Sequence, residues 1–142
     1  MPMPKIHIRK SLPGEAAIIL SKMGELDKNY YKHVMLNQTS GRNYSLIIDN
    51  QLMAVGGLAQ AWPGRLIAWA IRREDIPFKT WLKIVDEVRD IINAYNQPGT
   101  RIEAYVHSER PAFWRFAKRL GFQKESLMKK FHLGDDYYMG VF

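Results

Sequence analysis

The 142-residue chain contains no cysteine. Disulfides, thiolate metal sites and thiol nucleophiles are thereby excluded, and a reducing compartment is compatible with that lack. No apolar run approaches the roughly 20 residues of a membrane-spanning helix, and Met1 to Lys10 has no apolar core of a secretory leader. The expectation is a cytoplasmic protein. There is no phosphate-binding Walker loop, no His-Glu-x-x-His pair and no Gly-x-Ser-x-Gly elbow. His7, His33, His107 and His132 are too dispersed to argue for a metal site, so no metal is expected. No repeat, low-complexity tract or long linker interrupts the chain, and residues 1–142 read as one domain.

What is present is ordinary for a globular domain: 46% hydrophobic and 25% charged residues. The net charge is +7, which favours acidic partners: nucleic acid, phosphorylated ligands or an acidic protein surface. The Lys and Arg residues are scattered, so a basic domain that simply stays soluble is the plainer reading.

The hydrophobic pattern gives an element order. Lys5 to Arg9 alternates as a strand, and Ala16, Ile19, Leu20 and Met23 repeat at helical spacing after the break at Pro13-Gly14. Asp27 is placed to cap a second helix carrying Tyr30, Tyr31, Val34 and Met35. Tyr44 to Ile48 and Gln51 to Leu58 read as a hairpin about Asp49-Asn50, and Arg65 to Ile71 as a third strand of a meander. Trp81, Ile84, Val85, Val88, Ile91, Ile92 and Tyr95 lie on one face of a long helix. Arg101 to Val106 is again a strand. Ser108 is placed to cap a helix from about Glu109 to Leu120, with Gly121 at its left-handed end. Two strands, Ser126 to Leu133 and Tyr137 to Phe142, close the chain. The order β-α-α-β-β-β-α-β-α-β-β predicts an α/β (α+β) fold: a mixed, mostly antiparallel sheet of six to seven strands with about four helices on both faces. The strands flanking the long helix, if parallel neighbours, are joined by a right-handed connection.

This element order resembles that of the GCN5-related N-acetyltransferases (GNAT). Asp49-Asn50-Gln51-Leu52-Met53-Ala54-Val55-Gly56-Gly57 is similar to the family's second hairpin, and Arg110 through Phe122 to its last helix, ending Leu-Gly-Phe. Length, the amphipathic helix ending near Tyr95 and the run Arg115 to Gly121 also resemble short acetyltransferase-like proteins of tailed bacteriophages, including internal virion proteins. The resemblance implies acetyl-coenzyme A as cofactor, an amine of a protein or small molecule as acceptor, and the host cytoplasm or a virion as location. A catalytically inactive virion-associated or host-interaction protein is the alternative it leaves open.

Acetyl transfer by direct attack has three needs: backbone N–H groups for the pyrophosphate, a donor for the thioester oxygen, and proton transfer from the amine. The resemblance places the thioester strand at Arg65 to Ile71, beside a splayed cleft, with main-chain donors at Ala70, Ile71 and Arg72. The family's glycine-rich phosphate loop corresponds to Arg72 through Thr80, which contains no glycine. Arg72, Arg73, Lys79 and Thr80 are the candidates there, joined by Arg110 and Arg115 of the last helix; Glu74 and Asp75 would oppose a phosphate. Ala117 stands where many members carry a tyrosine acid, and Arg110 where an asparagine is frequent. The remaining candidates for proton transfer are Glu103 and His107. Trp69 and Trp81 fall on core faces, Trp62 is the exposed tryptophan and Trp114 lies off the apolar stripe. Arg115, Lys118 and Arg119, with Lys124, Lys129 and Lys130 following, form a basic cluster or simply a solvated helix face.

Overall fold

A computed structural model describes residues 3–23, 42–73 and 76–142. The elements are β1 (Ile6–Lys10), α1 (Glu15–Lys22), β2 (Asn43–Ile48), β3 (Gln51–Trp62), β4 (Arg65–Arg72), α2 (Phe78–Ala94), β5 (Arg101–His107), α3 (Pro111–Leu120), β6 (Gln123–His132) and β7 (Asp135–Val141). The strands form a 7-stranded sheet in the order β1-β2-β3-β4-β5-β7-β6. Three helices are found among the described residues, against about four expected. The helix expected after Asp27, with Tyr30, Tyr31, Val34 and Met35, lies outside the described residues, as do His33, Glu74 and Asp75. The chain divides into two compact units, Met1–Ala59 with Trp69–Ile76 and Gln60–Ala68 with Pro77–Phe142.

In the first unit β1 and β2 are antiparallel, with Ile6 opposite Ile48. β2 and β3 are antiparallel too, with a bulge between Leu46 and Ile47. Asp49 (φ 49°) and Asn50 (φ 64°) both adopt the left-handed conformation a two-residue hairpin requires. Asp49 also ties down β1: the Lys5 N–H donates to Asp49 Oδ1 at 2.9 Å. Ala16, Ile19 and Leu20 of α1 form the core with Val55 of β3 and Ile71 of β4, and Met23, Leu52 and Trp69 pack against it. Gly57 has a steric reason. A Cβ there would sit 2.5 Å from Asn43 Oδ1 and 2.6 Å from the Arg42 carbonyl oxygen.

In the second unit β4 and β5 are parallel, pairing Arg65–Ala68 with Arg101–Ala104. β5 pairs antiparallel with β7, and β7 with β6. β3, β6 and β7 differ from the sequence reading: β3 runs to Trp62, β6 starts at Gln123 and β7 at Asp135. Pairing extends strands through residues whose own alternation is weak, such as Gln123 and Lys124. On α2 the expected stripe buries Ile84, Val85 and Ile92. Trp81, expected in the core, is half-buried in an edge-on contact with Phe116 of α3, ring centroids 5.3 Å apart.

α3 begins at Pro111, not Glu109, and its N-cap is Arg110 rather than Ser108. Ser108 is drawn off into the preceding turn, where its N–H donates to the Asp136 carbonyl oxygen. Proline suits the first helical position because the N–H it lacks would have no helical partner there. Gly121 (φ 116°) ends the helix as expected. Trp114 of α3 lies over Gly140 of β7, where a Cβ would come within 3.0 Å of its ring.

Candidate functional site

The site candidates fall into three groups, and the first lies on β4. The Arg73 N–H donates to the Met53 carbonyl oxygen of β3 at 3.0 Å, and the Trp69 carbonyl oxygen faces Gly56 of β3. Along a strand successive peptide groups alternate in direction. Residues 69, 71 and 73 therefore turn their main chain to β3, and Ala70 and Arg72 turn theirs to the opposite edge. Of the three expected donors, Ile71 is directed into the sheet and its side chain is in the core. Ala70 and Arg72 are presented the other way, and Ala70 is exposed. The Arg72 guanidinium donates to the Arg73 carbonyl oxygen at 3.2 Å, which holds the side chain along its own strand.

The second group is the start of α2 in the second unit. Its first turn holds Phe78, Lys79 and Thr80 and no acidic residue. The Arg115 guanidinium of α3 lies 5.9 Å from the Phe78 ring centroid, so Arg115 and Lys79 stand at a helix N-terminus, where the dipole favours an anion. Arg110 sits one and a half turns before Arg115, at the N-cap of α3, with its guanidinium 5.8 Å from the Phe113 ring. Lys79 and Arg115 are thus brought to one helix end, and Arg110 to another.

The third group contains Glu103 and His107, and the structure commits both. Glu103 on β5 is only 2% exposed. Arg65 Nε donates to its Oε1, Arg101 Nε to its Oε2 at 3.1 Å, and the Tyr105 hydroxyl lies 3.4 Å from Oε1. Burial raises its pKa, but the bonds from Arg65 and Arg101 outweigh it and the net position is below the ordinary value. A carboxylate so stabilised in its charged form is a weak base. The Tyr105 hydroxyl also accepts from Arg65 at 2.6 Å, and its pKa is raised, by burial and by the Glu103 charge. His107 Nδ1 accepts the Glu109 N–H at 3.1 Å, and Nε2 lies 3.1 Å from Asp135 Oδ2. Both ring nitrogens are therefore engaged, with the proton on Nε2.

The sequence pointed to Glu103 but missed the ring of partners. Arg101, Glu103 and Tyr105 share a strand face by simple alternation, a signal that was readable. Arg65 joins them only because the parallel register sets it opposite Arg101. Around this network Trp62 is 57% exposed, with the Arg65 guanidinium 4.3 Å from its ring centroid. Trp69, placed in the core by its alternation, is half-buried, and its Nε1 is the one buried side-chain nitrogen or oxygen among the described residues without a hydrogen-bond partner. No helix of the described residues is long and apolar enough to cross a membrane, and none of their His, Asp and Glu residues cluster as metal ligands would.

No protein-family model matches the sequence, and neither does any curated protein. Solved structures do match in shape. The indole-labelled "IAA acetyltransferase" of Bacillus cereus ATCC 14579 superposes with a TM-score of 0.73 at 12% identity, covering 96% of this chain and 98% of that one. A variant of the spermidine N-acetyltransferase of Vibrio cholerae gives 0.69 at 12% identity, covering 96% and 92%. A GNAT-family acetyltransferase from Bacillus anthracis gives 0.66 at 13% identity, covering 96% and 93%. Over nearly its whole length, the chain has the fold of the GNAT acetyltransferases.

Proposed function

We propose that this chain is an atypical acetyltransferase-like protein that binds acetyl-coenzyme A and passes its acetyl group to an amine without a dedicated side-chain acid or base. The observation that carries the reading is the direction of the β4 main chain. Ala70 and Arg72 turn their peptide groups away from β3, which suits strand-like hydrogen bonds to a pantetheine amide. Lys79, Thr80 and Arg115 at the start of α2 would take the pyrophosphate, with Arg73 and Arg110 as further cations. In the reaction the amine nitrogen bonds the acetyl carbon, the carbon–sulfur bond breaks, and the amine's proton goes to solvent or to the departing thiolate. Nothing about Glu103, His107 or Ala117 supports a proton relay, so the reacting amine would arrive already neutral.

Calorimetry with acetyl-coenzyme A tests the reading. Micromolar binding supports it, and no binding at millimolar coenzyme overturns it. Where transfer occurs, its rate follows the neutral fraction of the acceptor amine, rising with pH up to the amine's own pKa and showing no further protein ionisation.

One observation favours a second reading. The exposed side of α3 carries Arg115, Lys118 and Arg119, and the helix contains no carboxylate. On that reading the chain is a catalytically inactive virion-associated or host-interaction protein, of the phage type, whose basic helix meets nucleic acid or an acidic protein surface. Binding of short duplex DNA that weakens steeply with salt would favour it.

A further inference from the structure

A buried polar atom without a partner has a physical cost, about 1–3 kcal/mol for a neutral donor, and its persistence calls for an explanation. Among the described residues a single side-chain atom is in this state, Nε1 of Trp69. Buried tryptophans ordinarily find an acceptor for this N–H. An ordered water is a poor answer here. Buried water needs two to four polar partners, and the cluster Trp69 packs against is apolar: Ala16, Ile19, Leu20, Val55 and Ile71, with Met23 and Leu52 beside it. What such a wall accepts is an apolar body that brings its own oxygen.

The position matters as much as the burial. Trp69 immediately precedes Ala70, whose main chain turns to the edge of β4 opposite β3. Trp69 turns its own main chain to β3, and its side chain lies on the same strand face as Ile71, toward α1. An indole reaches several ångströms from its own backbone, so an oxygen bonded to Nε1 sits within one small molecule's length of the Ala70 peptide group.

We infer that the Trp69 indole N–H is a donor kept for an oxygen of the acyl acceptor, and that the acceptor is an amine carrying a nearby amide or other carbonyl, as at a peptide N-terminus, rather than an oxygen-free polyamine. The chemistry is selective because indole N–H only donates. A carbonyl oxygen satisfies it; an ammonium group, itself only a donor, leaves it unpaired. A site built to bond an oxygen rejects the analogue that lacks one more strongly than an apolar pocket rejects a missing methylene. The inference rests on the reading of β4 as the acetyl-carrying strand.

The test is the indole region of a proton–nitrogen correlation spectrum of the intact ¹⁵N-labelled protein, which holds four tryptophans. The Trp69 signal is assigned by its loss in Trp69→Phe. Alanyl-alaninamide and spermidine are then titrated separately, each with and without coenzyme A. The expected result is a downfield movement of the Trp69 indole proton with the dipeptide amide in at least one arm, and none with spermidine. No movement with the dipeptide in either arm, or equal movement with the polyamine, overturns the inference. Trp69→Phe keeps the ring and removes the donor; its KM for the dipeptide rises about three- to tenfold, with coenzyme affinity as the control for folding. An unchanged KM ratio between dipeptide and polyamine also counts against it. Loss of coenzyme binding in the wild-type protein would sink the acetyltransferase reading, while the coenzyme-free arm still judges Trp69.

Discussion

Two buried carboxylates, one in each compact unit, solve the same problem with different chain geometry. Glu15 is the first residue of α1 and draws on its neighbours. Arg9 donates to both of its oxygens at 2.7 and 2.8 Å, and the Leu12 N–H donates to Oε1 at 2.6 Å. The Ser45 hydroxyl of β2 completes the set at 2.9 Å. Glu103 depends instead on Arg65, which is brought to it only by strand pairing, and on Arg101 from its own strand. Arg101 passes the network on to Glu125 of β6 at 2.6 Å. The first carboxylate fastens a strand–helix junction; the second ties β4, β5 and β6 on one sheet face. Both are ionised and saturated with donors, so a carboxylate on the central strand of this fold is not by itself a catalytic base.

The comparison is broken most forcefully at Glu103. Glu103→Ala leaves two guanidinium groups facing each other across β4 and β5, and it is expected to destabilise the protein by about 3–5 kcal/mol in denaturant unfolding. If transfer activity is found, a variant refolded at low temperature keeps its pH dependence unchanged, which a base at this position would not allow. Glu15→Ala comes next, at about 2–4 kcal/mol, because Arg9 sits at the surface and regains water when its partner is lost.

Acid distinguishes the carboxylates by direction and window. The bonds from Arg9 lower the Glu15 pKa most; burial opposes them, and the Leu12 and Ser45 donors assist, leaving it at about 2 against an ordinary 4.5. A carboxyl with a depressed folded pKa contributes stability that is full above the unfolded value and is lost as pH falls through the folded one. Here that contribution amounts to about 3 kcal/mol, present above about pH 4.5 and lost towards pH 2. Glu15→Gln should flatten unfolding free energy across this window.

Smaller effects sharpen the contrast. Ser45→Ala removes one donor to Glu15 and the bond to Ser11, for about 1–2 kcal/mol by thermal unfolding. Trp62→Ala strips the exposed ring from Arg65 and costs about 0.5–1 kcal/mol, leaving the Glu103 pairs in place. A loss well above that would mean the ring, not the ion pairs, holds Arg65.

Much of this arrangement was legible in the residues alone. Helical spacing marked α1 and the stripe of α2, Asp49-Asn50 marked a left-handed hairpin turn, and Gly121 marked the end of α3, because each depends on local backbone preference and side-chain period. The start of α3 was misplaced by two residues because Ser108 was claimed by Asp136, a partner 28 positions away in sequence that local rules cannot supply. The same limit governed the site. Alternation showed that Arg101, Glu103 and Tyr105 share a face, but whether Glu103 is a base or half of an ion pair was decided by the register that delivers Arg65. Which peptide groups of β4 turn outward, and that the Trp69 indole is left without a partner, were decided there too. Local sequence sets the conformations each segment prefers; the protonation and bonding of a buried group depend on which distant atoms the folded chain brings within about 3 Å of it.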